Sequence, residues 1–171
     1  RGLGDVYKRQ EVLVGDPATV KLVKNVLTPV DKMDGDSLPV SAFEDYVDGQ
    51  FALGASAYEK RGVAVTVPSW DETKCIQCNN CAYVCPHATI RPFALTEEEA
   101  AKAPAAAKIV PVKAGKGKGV YSYTMAVSPL DCMGCGVCVG VCPTSAITMV
   151  PQESQLPQQD VFNYMVSLSL I

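Results

Sequence analysis

Eight cysteines in two short blocks are the residues of this sequence whose type and spacing are best suited to chemistry. Both blocks have the form C-x2-C-x2-C-x3-C-P, which is the ligand spacing of bacterial [4Fe–4S] sites. Three thiolates spaced in this way can come from one tight loop around a cubane of iron and sulfide. The sequence therefore predicts two [4Fe–4S] clusters that use all eight cysteines: Cys75, Cys78, Cys81 and Cys85 in the first block, and Cys132, Cys135, Cys138 and Cys142 in the second.

The fourth cysteine of each block is predicted to bind the cluster of the other block. It lies four residues after the third cysteine, so one helical turn between them would place both thiolates on one face. In two-cluster ferredoxins the fourth cysteine does serve the opposite cluster. With every thiolate used, neither cluster has an open position for a substrate, which predicts a relay of electrons. The predicted ligands are Cys75, Cys78, Cys81 and Cys142 for cluster A, and Cys132, Cys135, Cys138 and Cys85 for cluster B.

Zinc and disulfides are the two alternative uses of these cysteines. Structural zinc sites usually take two C-x2-C pairs, and a third cysteine at the same short spacing has no role in that geometry. Disulfide frameworks belong to secreted domains, and the start of this chain has no apolar signal segment. Both alternatives are therefore disfavoured against iron and sulfide.

The elements that must position the cysteines form an internal repeat. Residues 75–90 match residues 132–147 at an offset of 57, and each block ends in a short strand-like run. This pattern predicts an α+β fold: a pseudo-twofold domain of the bacterial two-cluster ferredoxin type, with an insert between its halves. Thr96 and Glu99 predict a capping box that opens a short helix in the insert, and residues 121–127 predict a strand after it.

The part of the chain before the cysteines reads differently. Residues 17–27 predict a helix with Asp16 as its cap and Pro17 in its first turn. Residues 62–68 alternate as in a strand, which Pro68 would end. The predicted domains are an irregular α/β segment at 11–69, the two-cluster domain at 70–151 and the start of a truncated extension at 152–171. Residues 1–10 are predicted to be a non-native tail, since the chain starts at Arg1 and reads as a fragment.

Charge and hydropathy exclude several classes of protein. The net charge of −3, from 15 Lys and Arg against 18 Asp and Glu, argues against nucleic acid as the main partner. No apolar run reaches the length of about 18 residues that a membrane span needs. The sequence therefore predicts a protein with neither nucleic acid nor membrane as partner.

Residues 11–168 resemble the middle of the pyruvate:ferredoxin (flavodoxin) oxidoreductases. The resemblance lies in Glu59, Lys60 and Arg61 with the following GVAVTVPSW, and in the runs CIQCNNCAYVCPHATIRPF (75–93) and SPLDCMGCGVCVGVCP (128–143). It implies an EKR domain and a two-cluster domain of a cytoplasmic enzyme of anaerobic metabolism that uses thiamine diphosphate, coenzyme A and a third [4Fe–4S] cluster. Electrons would leave for ferredoxin or flavodoxin, and the remaining domains of that enzyme would be partners. A stand-alone ferredoxin-like carrier, or a subunit of another oxidoreductase, is the alternative.

A few further residues have a functional and an ordinary interpretation. His87 suits tuning of cluster B or the capping of a turn. Residues 59–61 suit docking to other domains or a solvated charged turn. The lysines at 113, 116 and 118 are interpreted either as a site that attracts an acidic ferredoxin or as part of a mobile hairpin tip. The hairpin tip is the favoured interpretation. Trp70 and Tyr83 suit shielding of a cluster from water or ordinary packing.

Overall fold

The structure is a computed structural model that describes residues 16–113, 115 and 118–168. The chain divides into two compact units, of which the first ends at Arg61 and the second begins at Gly62. The predicted tail at residues 1–10 lies outside the described residues. None of the described helices is long and apolar enough to cross a membrane.

The first unit is helical over its described residues. Asp16 accepts hydrogen bonds from the backbone N–H groups of Ala18 and Thr19, and Pro17 occupies the first helical turn, so the predicted helix start is confirmed. Residues 16–61 contain no strand, so the predicted α/β character of this segment is not seen there. The segments are α1 (Pro17–Leu22), a π-helical turn (Val23–Leu27), α2 (Thr28–Asp31) and 3₁₀ turns at Gly35–Ser37, Val40–Tyr46 and Ala55–Tyr58.

The second unit mixes short helices with two small antiparallel sheets. One sheet pairs β1 with β5, and the other has the order β2, β4, β3. Each cysteine block contains a short helix and is followed by a strand. In chain order the elements are β1 (Thr66–Trp70), α3 (Asn80–Tyr83), β2 (Ile90–Leu95), α4 (Glu97–Ala101), β3 (Val110–Pro111), β4 (Ser122–Val127), α5 (Val137–Gly140), β5 (Ile147–Pro151), a 3₁₀ turn (Gln152–Gln155) and α6 (Gln158–Leu168).

The strand pairs join the two copies of the sequence repeat. In one sheet Trp70 of β1 pairs with Ile147 of β5, and in the other Val127 of β4 pairs with Ile90 of β2. Trp70 and Val127 are 57 positions apart, as are Ile90 and Ile147. Each sheet therefore combines an approach strand from one copy with the strand that follows the cysteines of the other.

The first strand starts and ends later than the sequence predicts. It begins at Thr66 and runs through Pro68 to Trp70, where the sequence predicted a strand over residues 62–68 that Pro68 would end. Pro68 pairs with Met149 in a sheet of only two strands, so its missing N–H group removes no bond to a third strand. Because β1 pairs with β5, the second unit starts before the predicted domain limit at residue 70.

Strand β4 is buried on both faces and separates two apolar clusters. Tyr123, Met125 and Val127 face a core that also holds Cys81 and Cys138. Ala126 belongs to the other cluster, in which α6 supplies the side chains. Residues 158–168 thus pack against the sheet of the second unit. The buried members of this second cluster are Leu95, Ala126, Val161, Phe162 and Met165.

The insert between the two cysteine blocks begins with the predicted capping box. The Thr96 side chain accepts a hydrogen bond from the N–H of Glu99, and the Glu99 carboxylate accepts one from the N–H of Thr96. This reciprocal pair opens α4 and confirms the prediction. The predicted strand after the insert is confirmed as β4.

Candidate metal centres

Four cysteines from both blocks line one cavity in the second unit. Three of them come from the first block, and Cys142 is the fourth cysteine of the second block. The cavity takes in about 310 Å³ of space, part of it open to solvent. We call it cavity A, and its lining comprises Trp70, Cys75, Ile76, Cys78, Asn79, Cys81, Met125, Cys142, Thr144, Ala146 and Ile147.

The other four cysteines line a second cavity with the reverse composition. Here three come from the second block, and Cys85 is the fourth cysteine of the first block. This cavity takes in about 390 Å³, again partly open to solvent. We call it cavity B, and its lining comprises Pro68, Cys85, Pro86, His87, Thr89, Ile90, Cys132, Met133, Cys135, Gly136, Val137, Cys138 and Met149.

Two short helices distribute the thiols between the cavities. Cys81 lies in α3 and lines cavity A, whereas Cys85 follows the same helix and lines cavity B. In the second block, Cys138 of α5 lines cavity B and Cys142 lines cavity A. Each helix starts after a residue in the left-handed conformation, Asn79 with φ 62° and Gly136 with φ 74°. The structure thus brings together the same two sets of four cysteines that the sequence predicted as ligand sets.

Backbone N–H groups donate to the first and last cysteine sulfurs of each block. Gln77 N donates to Cys75 Sγ at 3.3 Å, and Gly134 N donates to Cys132 Sγ at 3.4 Å. These donors are 57 positions apart. The same holds at the fourth cysteines, where the donors are Thr89 N to Cys85 Sγ at 3.3 Å and Ala146 N to Cys142 Sγ at 3.2 Å. Such bonds stabilise a thiolate, which is the form that binds metal.

Burial and hydrogen bonding move the cysteine pKa values in opposite directions. Burial is the largest cause that raises the pKa of Cys81 and of Cys138 to about 11, and nearby thiolates contribute to the same rise. At Cys85 and Cys142 burial also raises the pKa, but the hydrogen bonds from Thr89, and from Thr144 and Ala146, outweigh it and leave the pKa lowered. The third cysteines of the two blocks therefore share one direction of pKa shift, and the fourth cysteines share the other.

The insert holds the first cysteine loop, which the sequence did not predict. Gln77 Nε2 donates to the Pro111 carbonyl at 2.9 Å, and its Oε1 accepts from Lys113 N at 2.8 Å. The Lys113 ammonium also donates to the carbonyl of Cys75. The one visible signal was the break in the repeat, because Gln77 takes a left-handed φ of 60° where the second block has Gly134.

The indole of Trp70 is the part of cavity A that most needs a partner. Trp70 is 5% exposed, and its Nε1 is a buried donor without a hydrogen-bond acceptor among the described residues. Buried donors normally have a partner, so an acceptor in the cavity fits this site. In the described part of the chain no three Cys, His, Asp or Glu side chains converge on a single ion position. The thiols instead surround space, which suits a polynuclear group with sulfur acceptors.

The other predicted site residues fall in mixed positions. His87 lines cavity B, as its interpretation near cluster B requires. Tyr83 is 85% exposed and shields neither cavity by burial. Arg61 forms an ion pair with Glu59 at the surface of the first unit. The Lys113 ammonium is held at Cys75, and the position of Lys116 lies outside the described residues.

A methyl group at Gly134 is expected to disturb the second cysteine loop more than one at Gly136. Both glycines have left-handed φ angles, so alanine costs each roughly 1–2 kcal/mol. At Gly134 the added Cβ would also lie 3.0 Å from the Thr66 carbonyl and 3.3 Å from Ala64 Cβ, whereas nothing lies within 4 Å at Gly136. Gly134→Ala should therefore lower the thermal midpoint and the bound iron per chain more than Gly136→Ala. Equal losses in the two variants would contradict this account of the loop.

Comparison with known proteins adds family matches to this geometry. A family model named EKR, a domain of unknown function, matches residues 9–64, and a 4Fe-4S dicluster domain matches residues 74–146. The pyruvate-flavodoxin oxidoreductase of Enterobacter agglomerans is 49% identical over 149 residues, which are 86% of this chain and 12% of that protein. The pyruvate:ferredoxin oxidoreductase of Moorella thermoacetica is 45% identical over 135 residues, which are 78% of this chain and 11% of that protein. The chain thus spans about an eighth of the length of these relatives or less.

Proposed function

Because the chain belongs to the pyruvate:flavodoxin and pyruvate:ferredoxin oxidoreductase family, over the segment with the EKR and dicluster domains, we propose that it is an electron-transfer segment of such an enzyme. The observation that carries the proposal is the division of eight cysteines between two cavities, four to each. When bound, two [4Fe–4S] clusters supply one-electron transfer without an open position for a substrate.

The proposed ligands of cluster A are Cys75, Cys78, Cys81 and Cys142, and those of cluster B are Cys132, Cys135, Cys138 and Cys85. Their placement around cavities A and B supports these sets. Equivalent strands, sulfur donors and left-handed residues of the two halves lie 57 positions apart. This regular offset supports a pseudo-twofold domain with residues 94–120 as its insert. We further propose the division into an EKR domain, a two-cluster domain and a C-terminal extension.

The chain's own residues hold the two sites close together. Helices α3 and α5 contact each other. In each block, the cysteine within the helix and the cysteine after it line different cavities. Cys81, which lines cavity A, and Cys138, which lines cavity B, are buried in one apolar core with Tyr123, Met125 and Val127. A shared core of this kind favours electron transfer between the two sites over reaction with solvent.

The rest of the proposal concerns partners. The names of relatives include flavodoxin and ferredoxin, so we propose one of these as electron acceptor. The 2-oxoacid chemistry, with thiamine diphosphate, coenzyme A and a third [4Fe–4S] cluster, would lie in other domains of the parent enzyme in the cytoplasm. Exposed apolar side chains of the first unit support contact with such domains, notably Met33, Val40, Val47 and Leu53. A self-contained carrier is not favoured, because the relatives are far longer.

Anaerobic reconstitution with iron and sulfide tests the proposal directly. We expect about eight irons and eight acid-labile sulfides per chain, and a spin-coupled EPR signal after reduction, because the two clusters would lie close together. The matched control is reconstitution with zinc, which should give no reducible chromophore. Tight binding of zinc with about four irons or fewer under iron excess would overturn the two-cluster assignment.

A further inference from the structure

We propose that the Trp70 indole Nε1–H donates a hydrogen bond to a sulfur of cluster A and makes that cluster the more easily reduced of the two. The inference rests on the proposed function, since it requires both clusters. Its starting point is a donor that is buried, lines cavity A and lacks an acceptor among the described residues. The lining of that cavity includes the side-chain oxygens of Asn79 and Thr144 and the sulfur of Met125, but Trp70 Nε1 bonds to none of them, and a bound cluster would add sulfides as acceptors.

The position of the indole is set by its neighbours. The Trp70 ring meets the Tyr123 ring edge-on at 6.0 Å between centroids, and its backbone pairs with Ile147 in β5. Lys108 Nζ donates to the Trp70 carbonyl at 2.6 Å and also pairs with Glu72 at 3.1 Å. In the folded unit these contacts fix the indole beside cavity A, so its ring has little freedom to turn away from a bound cluster.

Trp70 supplies a hydrogen-bond donor that has no equivalent in the other half of the repeat. The residue 57 positions later is Val127, which is buried and apolar. The backbone donors to cysteine sulfur are matched in the two halves, since Gln77 and Thr89 correspond to Gly134 and Ala146. The indole is therefore a donor that cluster A has and cluster B lacks; the Lys113 ammonium at the Cys75 carbonyl would act on cluster A in the same direction, and the Trp70 variants isolate the contribution of the indole.

The direction of the effect follows from charge. Reduction adds one electron to the cluster, and a donor aimed at sulfur stabilises the more negative state more strongly. A cluster with the additional donor therefore has the higher reduction potential. Cluster A would then be reduced before cluster B when electrons are supplied one at a time.

The test uses the fact that the chain has one tryptophan. Protein labelled with ¹⁵N-indole tryptophan should show a ¹⁵N coupling to the reduced cluster in pulsed EPR. Replacement of Trp70 by benzothienylalanine keeps the ring volume but removes the N–H group. At a fixed solution potential, we expect this replacement to lower the ratio of reduced to oxidised cluster A about fivefold. At about 59 mV per tenfold, this corresponds to a reduction potential of cluster A that is lower by about 40 mV.

Trp70→Phe serves as a second variant and should shift the potential in the same direction. The control readout is the second one-electron step, assigned to cluster B, which neither substitution should move. If both clusters assemble with unchanged potentials and no ¹⁵N coupling is seen, this inference is wrong and the proposed function stands. If the wild-type chain binds fewer than about eight irons, the proposed function fails first, and this inference with it.

Discussion

Replacing Cys75 and Cys142 together should remove one cluster, although the two residues lie 67 positions apart in different blocks. Both thiols line cavity A, so Cys75→Ala with Cys142→Ala leaves the four cysteines around cavity B complete. We expect bound iron to fall from about eight to about four per chain and the spin-coupled signal to become that of an isolated cluster.

The matched control is the double replacement within one block, Cys75→Ala with Cys85→Ala. These residues line different cavities, so both ligand sets lose one thiolate and neither is complete. Bound iron should then fall below about four per chain. If each block instead supplied all four ligands of one cluster, the two double variants would exchange their results. Iron analysis with EPR of both variants therefore decides between crossed and uncrossed ligation.

Removing iron should unfold most of the second unit. Its core includes Cys81 and Cys138, and Cys132 lies in a third small buried cluster with Ala64 and Val67. Metal binding in small domains contributes about 10–16 kcal/mol in measured zinc sites, which is comparable with a total domain stability of about 5–15 kcal/mol. Without the clusters, two cavities lined by unpaired thiols remain in a small core. We therefore expect the iron-free unit to lack a cooperative unfolding transition.

Trp70 reports this change without any label. It is buried at 5% exposure beside cavity A, and it is the one tryptophan of the chain. After anaerobic chelation its emission maximum should shift to the wavelength of solvent-exposed indole. The wavelength is the proper readout, because bound clusters change the intensity as well. The control sample is held under thiol reductant without chelator, so that disulfides do not form. An iron-free chain with the same denaturation midpoint as the iron-loaded chain would show that the clusters are not needed for folding.

The sequence by itself determined the chemistry of the site. The C-x2-C-x2-C-x3-C-P spacing is a local property, because a few residues decide which thiols one tight loop can present. The repeat at an offset of 57 added that there are two equivalent sites. Capping at Asp16 and at Thr96 was also predictable, since a cap depends on residues three positions away. Each of these inferences uses side chains within about one turn of each other.

The tertiary structure decided what depends on residues far apart in the chain. Pro68 lies within β1 because that sheet has only two strands, and no local pattern reveals the number of strands in a sheet. The hydrogen bonds of Pro111 and Lys113 to Gln77 in the first cysteine loop join positions more than 30 apart. The buried Trp70 donor likewise arises from packing of β1, β4 and the insert around one cavity. Such contacts depend on which apolar faces pack together in the folded chain, and the packing of the whole core determines this.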